Sequence, residues 1–262
     1  MPIATCVPIR IFSQEDFGNI AYEVVREAFE VHTALGKMFN ESIYRTALRK
    51  ALGSRAIEEV KICLSHQSFR KEMYLDLLVD LGCPFELKAA SCLTDAHQSQ
   101  LIQYLMLTGL SHGKLINFGT DRVEHRFVNC HEAPEQRKKF ETKRLDWFSA
   151  DPFRRLEKIV LPLILDWGTG LSKFLYLEAV IALAGGEERC RQFTDTFWQE
   201  QRIWQQPVYL IEEGVSIEVS CKKQDLDRYE SHLRRLIKNT KLRAILWINI
   251  TSGEVRLQGI MR

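Results

Sequence analysis

Apolar and polar positions follow a helical spacing near the start of the chain. Apolar side chains recur every three or four residues through 14–35, and the same spacing continues through 41–52. This periodicity predicts two amphipathic helices. Gly36 and Gly53 directly follow the two segments and predict their C-terminal ends, because glycine readily adopts the left-handed conformation found there. Asn40 predicts the N-cap of the second helix.

The rest of the first half predicts strands around one further helix. Residues 74–80 and 83–91 are strand-like runs separated by a Leu-Gly pair that is typical of a turn. Helical spacing returns over 94–110, and two more strand-like segments follow at 114–119 and 122–129. This order of elements favours an α/β domain with a mixed sheet.

A similar order of elements returns after a polar segment. Residues 132–150 are charged, contain Pro134 and carry several basic side chains, so we predict a linker there. Beyond it, the predicted helices cover 154–167, 171–184 and 226–239, and the predicted strands cover 207–213, 215–220, 243–250 and 253–260.

A constant offset of 132 in residue number relates the two halves without a gap. The identical pairs include Gly36/Gly168, Tyr44/Tyr176, Gly53/Gly185, Gly82/Gly214, Glu86/Glu218, Ile116/Ile248 and Asn117/Asn249. The glycines fall at predicted turns, a regularity that chance matches between unrelated segments do not readily produce. We therefore predict a tandem duplication, with one domain at 1–131, the linker at 132–150 and a second domain at 151–262.

Composition is compatible with two such domains. The chain has 262 residues, a net charge of +2 and 45% hydrophobic residues. Its seven cysteines are scattered without a CxxC pair, which favours reduced thiols and a cytoplasmic location over a disulfide framework or a zinc site. The sequence shows no signal peptide and no apolar stretch of about 18 residues, so no membrane association is expected.

Three charged residues fall on the first predicted strand pair. Glu86 and Lys88 are two residues apart and therefore project from one face of a strand. A hairpin brings Asp76, on the preceding strand, beside them. Two carboxylates hold a hard cation such as Mg²⁺, and a lysine offsets the charge of a phosphate transition state. This spacing is common by chance, and solvated strand charges are the alternative.

Three longer segments carry a more specific pattern. They are VHTALGKMFNESIY, YLDLLVDLGCPFELKAAS and DAHQSQLIQYLMLTGLSHGKLINFG, in consistent order within residues 17–129. Together they resemble the GxxExxY family, a group of bacterial proteins assigned to the PD-(D/E)XK nuclease superfamily. Met38 departs from the first glycine of the name motif, while Glu41 and Tyr44 match it. The resemblance and the repeat imply two tandem restriction-endonuclease-like αβββαβ modules.

The resemblance also implies a metal site in the first module. Asp76 and Glu86 are implied as ligands of Mg²⁺ or Mn²⁺, and Lys88 as the catalytic lysine. Glu41, on the second helix, resembles the acidic residue that completes such a site. Its alternative is an exposed helix glutamate.

Three residues of the following helix are further candidates. Gln100 and Tyr104 are four residues apart, share a helix face and resemble the family's pair that lines the active site. A surface amide and a core tyrosine are their alternatives. His97 is either a phosphate contact in a nucleic-acid-binding surface or an ordinary residue of the helix N-terminus.

The second module is expected to lack the metal site. At the offset of 132, the first-module set keeps only one carboxylate: Glu41, Asp76, Glu86 and Lys88 correspond to Lys173, Val208, Glu218 and Ser220. A single carboxylate beside a lysine does not supply the several oxygens that Mg²⁺ requires. This module is therefore interpreted as a degenerate copy. We expect Lys173 to fill the space of the ion and to pair with Glu218.

Basic residues suggest what the degenerate module does. Arg234, Arg235 and Lys238 lie on one predicted helix and can neutralise phosphates without reading sequence. A solvated helix face and packing against the first module are the alternatives.

The sequence thus favours a Mg²⁺- or Mn²⁺-dependent nuclease that hydrolyses phosphodiester bonds, with one active and one inactive module. The expected partner is nucleic acid, with DNA as first choice, and the oligomeric state is left open. A non-catalytic nucleic-acid-binding or scaffold protein with a vestigial site is the alternative, and hydrolysis of another phosphoester is a third reading.

Overall fold

Two compact units, each built around a six-stranded mixed sheet, make up the chain. The computed structural model describes residues 2–262. The first unit contains the chain up to Ser65 and Arg70–Pro134, and the second contains His66–Phe69 and Glu135–Arg262. Among the described residues, no helix combines the length and the apolar character needed to cross a membrane.

The first unit contains three helices and six strands. They are β1 (Ile3–Thr5), α1 (Gln14–Leu35), α2 (Glu41–Leu52), β2 (Ala56–His66), β3 (Phe69–Val79), β4 (Cys83–Lys88), α3 (Asp95–Thr108), β5 (His112–Asn117) and β6 (Glu124–Asn129). The first two helices span the predicted residues. Strand β2 was not predicted, because the adjacent Glu58 and Glu59 interrupt its alternation of apolar and polar residues. In the structure, Glu59 has a positive φ of 52° at this interruption.

Helix α1 supports the sheet that carries the candidate residues. The Ser13 hydroxyl accepts a hydrogen bond from the Asp16 N–H at 3.1 Å and so caps its first turn. Its buried face, which includes Phe17 and Val24, packs in one core cluster with strand residues such as Phe85. Burial of this stripe fixes the helix against the strands.

The first sheet has the order β1-β2-β3-β4-β5-β6. Strands β4 and β5 run parallel, whereas β3/β4 and β5/β6 are antiparallel. A parallel pair needs a crossover connection, and α3 provides it. The crossover brings α3 into contact with both strands of this central pair.

The second unit repeats this plan for five of its six strands, and its sixth strand, β7 (Glu141–Leu145), lies at the opposite edge of the sheet from the position of β1 in the first unit. Its elements are α4 (Pro134–Arg137), β7 (Glu141–Leu145), α5 (Phe153–Trp167), α6 (Lys173–Ala184), α7 (Glu187–Cys190), β8 (Arg191–Trp198), β9 (Gln201–Glu212), β10 (Val215–Ser220), α8 (Leu226–Lys238), β11 (Ala244–Thr251) and β12 (Glu254–Met261).

The segment predicted as a linker forms part of the second unit. Strand β7 pairs in parallel with β12 and ends the second sheet, whose order is β7-β12-β11-β10-β9-β8. Arg137, one of the basic side chains of this segment, is only 2% exposed. Its guanidinium donates to the carbonyls of Trp167 and Thr169 at 2.6 and 2.8 Å, which satisfies the buried charge. The polar composition concealed this strand because its side chains remain largely exposed.

The strand pairing of the first unit recurs in the second at the offset of 132. Glu86 lies opposite Leu115, and the equivalent Glu218 lies opposite Trp247. Lys88 lies opposite Asn117, and the equivalent Ser220 lies opposite Asn249. Lys114 lies opposite Phe127, and the equivalent Leu246 lies opposite Gly259. The central strands of both sheets therefore follow the same backbone path, residue for residue.

One predicted glycine pair differs between the units. Gly214 has a φ of +72°, but Gly82 does not, and Asp80 and Leu81 take the positive φ values of that turn. Gly82 is required for another reason, since a Cβ there would lie 2.0 Å from the carbonyl oxygen of Arg10. The pairing of β9 with β10 also contains a register shift. The two hairpins consequently have different turns.

Candidate functional site

Asp76, Glu86 and Lys88 come together where β3 and β4 pair. The Lys88 ammonium lies 2.8 Å from Glu86 Oε1 and 3.8 Å from Asp76 Oδ2. The backbone N–H of Leu87 donates to Asp76 Oδ2 at 2.8 Å and orients that carboxylate. Glu86 is 1% exposed and Asp76 is 8% exposed. Buried charges are retained only when they are paired or bind a cation, which sets this group apart from ordinary solvated strand charges.

Helix α2 contributes two more charged residues to the same place. Glu41 Oε2 lies 3.5 Å from the Lys88 ammonium. One turn further along, Arg45 Nη1 lies 3.4 Å from Asp76 Oδ1, and its Nη2 donates to Glu59 at 2.8 Å. Three carboxylates thus surround one lysine, and Arg45 bounds the cluster on one side.

Sequence reasoning missed Arg45. The signal available was its spacing of four residues from Glu41, which places both side chains on one face of α2. Basic residues are common on helices, so this spacing indicates a site residue only once Glu41 is known to lie beside Lys88.

Burial and mutual repulsion shape the electrostatics of the cluster. Burial, reinforced by the charge of Asp76, raises the pKa of Glu86 to about 8. Burial also raises the pKa of Glu41 above its ordinary value. Burial by itself lowers the pKa of Lys88, but the charges of Glu86, Asp76 and Glu41 outweigh it and raise that pKa. The site therefore holds a protonated lysine among carboxyl groups, two of which burial makes harder to ionise.

The donor set fits a divalent cation. Asp76, Glu86 and Glu41 supply the carboxylate oxygens that Mg²⁺ and Mn²⁺ prefer. Glu86 Oε2 is buried and accepts no hydrogen bond within the described residues, so it has a lone pair for another ligand. Across residues 2–262, no group of three or more His, Cys, Asp or Glu side chains is arranged as a formed metal site. Here the lysine ammonium sits among the three carboxylates and lies within 4 Å of each of them.

Helix α3 places its three candidate residues close to this cluster. Tyr104 is 5% exposed, and burial raises its pKa, as do the charges of Glu86 and Asp76. A side-chain hydrogen bond with Gln100 opposes that rise in the pKa of Tyr104. The tyrosine is therefore both a core residue and a neighbour of the carboxylates, while Gln100 is exposed beside it.

His97 caps the helix. Its Nδ1 accepts from the Thr94 N–H at 3.2 Å, and its own N–H donates to the Thr94 hydroxyl at 3.4 Å. Burial and the charge of Lys88 lower the pKa of His97, so the imidazole is held neutral next to the cluster. Of the two readings of this residue, the structure directly shows the role at the helix N-terminus.

The equivalent place in the second unit lacks a carboxylate cluster. Val208 is 9% exposed and part of an apolar core with Trp247, and Ser220 donates its hydroxyl to Asn249 Oδ1 at 2.7 Å. Glu218 accepts a hydrogen bond from the hydroxyl of Tyr229. The Tyr229 hydroxyl and the apolar side chains around Val208 thus occupy the place that charged side chains take in the first unit.

The expected pairing of Lys173 with Glu218 is not what the structure shows. The charge of Lys173 lowers the pKa of Glu218, but less than the Tyr229 hydrogen bond does, and burial outweighs both and raises it. The Lys173 ammonium instead lies 4.9 Å from the centre of the Phe174 ring. Glu218 is instead hydrogen-bonded to Tyr229, which is equivalent to His97 at the offset of 132. The partner of Glu218 is therefore a residue of α8 and not the expected Lys173 of α6.

The three basic candidates on α8 are exposed but are not equivalent. Arg234 is engaged by Glu230, with its Nη2 at 2.6 Å from the carboxylate. Within the described residues, no ion pair engages Arg235 or Lys238. Of the three, these two keep their full charge available to a phosphate.

One comparison with known protein families gives a match in the first half of the chain. Residues 18–128 match the family model of the PD-(D/E)XK nuclease superfamily. The first half of the chain is therefore similar to PD-(D/E)XK nuclease domains, in agreement with the superfamily that the sequence motifs resemble. Members of this superfamily are mostly metal-dependent nucleases.

The chain was also compared with curated proteins and with solved structures. A search of curated proteins gave no match. The crystal structure of SSO0001 is a distant structural match, with 17% identity and a TM-score of 0.31. That match covers 46% of this chain and 64% of the other, which is less than two thirds of its length.

Proposed function

We propose that the protein is a nuclease that hydrolyses phosphodiester bonds with Mg²⁺ or Mn²⁺ at the Asp76/Glu86/Lys88 site. The observation that carries this proposal is the burial of two carboxylates and a lysine around one point, with Glu86 Oε2 left without a partner. Charged side chains are costly to bury, so a buried cluster of carboxylates and a lysine is typical of a functional site. Membership of residues 18–128 in a nuclease superfamily supports the same reading.

Each residue has a defined part in this proposal. Asp76, Glu86 and Glu41 would hold the ion, and the bound ion would polarise the phosphate and lower the pKa of a water molecule. Lys88 remains protonated and presents its charge to the phosphate oxygens as negative charge develops. Tyr104, next to the carboxylates, excludes water from one side of the site.

Gln100, His97 and the second unit complete the proposal. Gln100 is exposed next to Tyr104 and can donate its amide to a phosphate. The neutral His97 lies beside Lys88 and is placed to contact the same strand of nucleic acid. The second unit is a degenerate copy without a metal site, and Arg235 and Lys238 on α8 bind phosphates.

A matched pair of variants tests the catalytic proposal. Glu86→Gln should abolish Mn²⁺-dependent cleavage of labelled single- and double-stranded DNA and RNA, because a ligand charge is lost. Glu218→Gln makes the same change at the equivalent position of the second unit and should leave cleavage unchanged. Thermal melts of both variants verify that each is folded. Wild-type cleavage by Glu86→Gln would overturn the site assignment.

One observation favours the alternative of a non-catalytic binding protein. Lys88 contacts all three carboxylates, so the lysine itself can serve as the structural counter-ion of the cluster. Under this alternative, the wild-type protein binds nucleic acid but cleaves nothing on the same panel. Mn²⁺ would then leave its melting temperature unchanged, since no ion binds the folded state.

A further inference from the structure

We propose that the hairpin of β8 and β9 is a binding groove for single-stranded DNA. The inference rests on the proposed function only in taking nucleic acid as the ligand. We define the β8–β9 groove by Phe193, Asp195 and Phe197 on β8, Arg202 and Gln205 on β9, and Lys241 after α8. All six belong to the second unit.

The aromatic side chains of the groove lie on either side of Asp195 along β8. Phe193 and Asp195 are two residues apart and project to the same side. Phe197 follows a register shift in the β8/β9 pairing, and its ring centre lies 5.8 Å from the Lys241 ammonium that also pairs with Asp195. Phe193 and Phe197 are four residues apart, which corresponds to roughly 13 Å along a strand. Phe193 is 64% exposed. Phe197 is only partly exposed. Rings at this separation can stack on two non-adjacent bases of one extended strand.

Cations are held between these rings by one carboxylate. Asp195 accepts from Arg202 Nε at 2.7 Å and from Gln205 Nε2 at 2.9 Å, and it pairs with the Lys241 ammonium at 2.9 Å. The side chains of Arg202 and Lys241 are nevertheless 57% and 67% exposed. These bonds lower the pKa of Asp195 and keep it ionised. The carboxylate thus organises two cations that still face the solvent.

The shape of the surface suits an extended strand. Depressions of about 590 and 650 Å³ lie in this region, and Lys241 lines both of them. Phe193 lines the first, and Phe197 lines the second together with the exposed basic residues Lys238 and Arg262. Lys241 also lies 5.8 Å from the centre of the Phe197 ring. Each depression therefore has an aromatic ring together with the same cation, Lys241, an arrangement that suits the bases and phosphates of a single strand.

Two features separate DNA from other occupants. Pairing with another protein strand would need the free backbone edge of β8, but Thr196 is bridged to Thr240 and the Phe197 N–H donates to the Asn239 carbonyl. A duplex buries the faces of its bases, so the rings would have nothing to stack on. Asp195, the one carboxylate among the six groove residues, already has three partners and is not available to accept from a 2′-hydroxyl, so we take DNA rather than RNA as the occupant.

Binding in EDTA separates this inference from catalysis. Fluorescence polarisation of the full chain with a labelled oligo-dT, a duplex of equal length and an RNA of matching sequence measures affinity without cleavage. Phe193→Ala should weaken oligo-dT binding by about 5- to 100-fold, as expected for one stacked base. Lys241→Gln should lower the slope of log affinity against log salt by about 0.7 for a single strand. Trp204→Ala is the matched control, since Trp204 is 78% exposed but lies opposite Thr196 on the other face of the hairpin.

Each outcome decides the proposal. Loss of oligo-dT affinity in Phe193→Ala and Lys241→Gln, with Trp204→Ala unchanged, supports it. Unchanged affinity in Phe193→Ala, equal losses on the duplex, or tighter binding of RNA than of DNA overturns it. Self-association that Phe193→Ala abolishes, without oligo-dT binding, would instead make this face an interface between copies. Wild-type binding without any cleavage in Mn²⁺ refutes the nuclease proposal alone.

Discussion

Tyr44 and Tyr176, which occupy equivalent positions in the two units, make the same pair of hydrogen bonds. Each hydroxyl donates to the carbonyl eight residues earlier, at 2.6 Å for Tyr44 and 2.5 Å for Tyr176. Each also accepts a backbone N–H from five residues earlier at 3.2 Å. These bonds join the end of one helix to the next helix, and in the first unit that next helix carries Glu41 and Arg45.

This pairing predicts unequal losses of stability. Tyr44→Phe should lower the free energy of unfolding by about 1 kcal/mol, and Tyr176→Phe by about 2 kcal/mol, because its partners are left buried without a bond. The bonds of Tyr176 are fully buried, whereas those of Tyr44 are partly exposed. Urea denaturation followed by circular dichroism measures both. Equal losses, or a larger loss for Tyr44→Phe, would contradict the argument.

The parts of the fold that the sequence predicted are those fixed by local backbone requirements. Gly36 and Gly168 take positive φ values at helix ends. Asn117 and Asn249 each use their side-chain amide to bind both the N–H and the carbonyl of one residue in the neighbouring chain segment. Such positions admit few substitutes, so they remain recognisable after most of the surrounding residues have changed.

The parts that the sequence did not predict depend on contacts between distant residues. Strand β8 was missed because it lies at a sheet edge and its exposed aromatic side chains break the expected polar pattern. Arg45 gains its meaning only from Asp76, 31 residues away. Tyr229 replaces the expected lysine partner of Glu218 through a side-chain hydroxyl that no spacing rule selects. Side-chain pairing across elements must be seen in three dimensions.

Lys88 should affect turnover rather than metal affinity. Lys88→Ala removes one preorganised charge and should reduce the cleavage rate by about two to three orders of magnitude. Metal affinity should not fall, because a positive charge 2.8 Å from Glu86 is removed. Titration of cleavage rate against Mn²⁺ gives both quantities. If the metal requirement rises instead, Lys88 has a structural role and the catalytic one is wrong.

Arg45 should act as a positioning residue for Asp76. Arg45→Ala should lower kcat by roughly 10- to 100-fold, the scale expected when a ligand is displaced by about 1 Å. The Mn²⁺ concentration for half-maximal rate should stay the same or fall, since an opposing charge is lost. Glu59→Gln is the control, because Glu59 binds Arg45 without touching Asp76. A loss in Glu59→Gln equal to that in Arg45→Ala would show that the effect is general to the helix.

The basic residues of α8 should contribute unequally to duplex binding. Arg235→Ala and Lys238→Ala should each reduce the slope of log affinity against log salt by about 0.9 for every phosphate that the variant no longer neutralises. Arg234→Ala should change it less, because Glu230 already engages that guanidinium. Fluorescence polarisation at four salt concentrations measures the slopes. An unchanged slope in the Arg235 and Lys238 variants would assign α8 to packing.

Glu218 should make the second unit less stable as pH rises. Burial raises its pKa above the ordinary 4.5, so ionisation is harder in the folded state than in the unfolded state. The contribution of Glu218 to stability is therefore fully present below pH 4.5 and is lost as pH rises through the raised pKa.

Glu218→Gln keeps an oxygen for the Tyr229 hydroxyl but cannot ionise, so its stability advantage over wild type should grow as pH rises from 4.5 through the raised pKa. Tyr229→Phe removes a bond that lowers this pKa, and the window should then move to higher pH. Urea denaturation of the three proteins at pH values from 4 to 8 gives the difference curves. A flat difference, or an advantage of Glu218→Gln that shrinks with pH, would show that the carboxylate is already stabilised as an anion and that the charge of Lys173 dominates its surroundings.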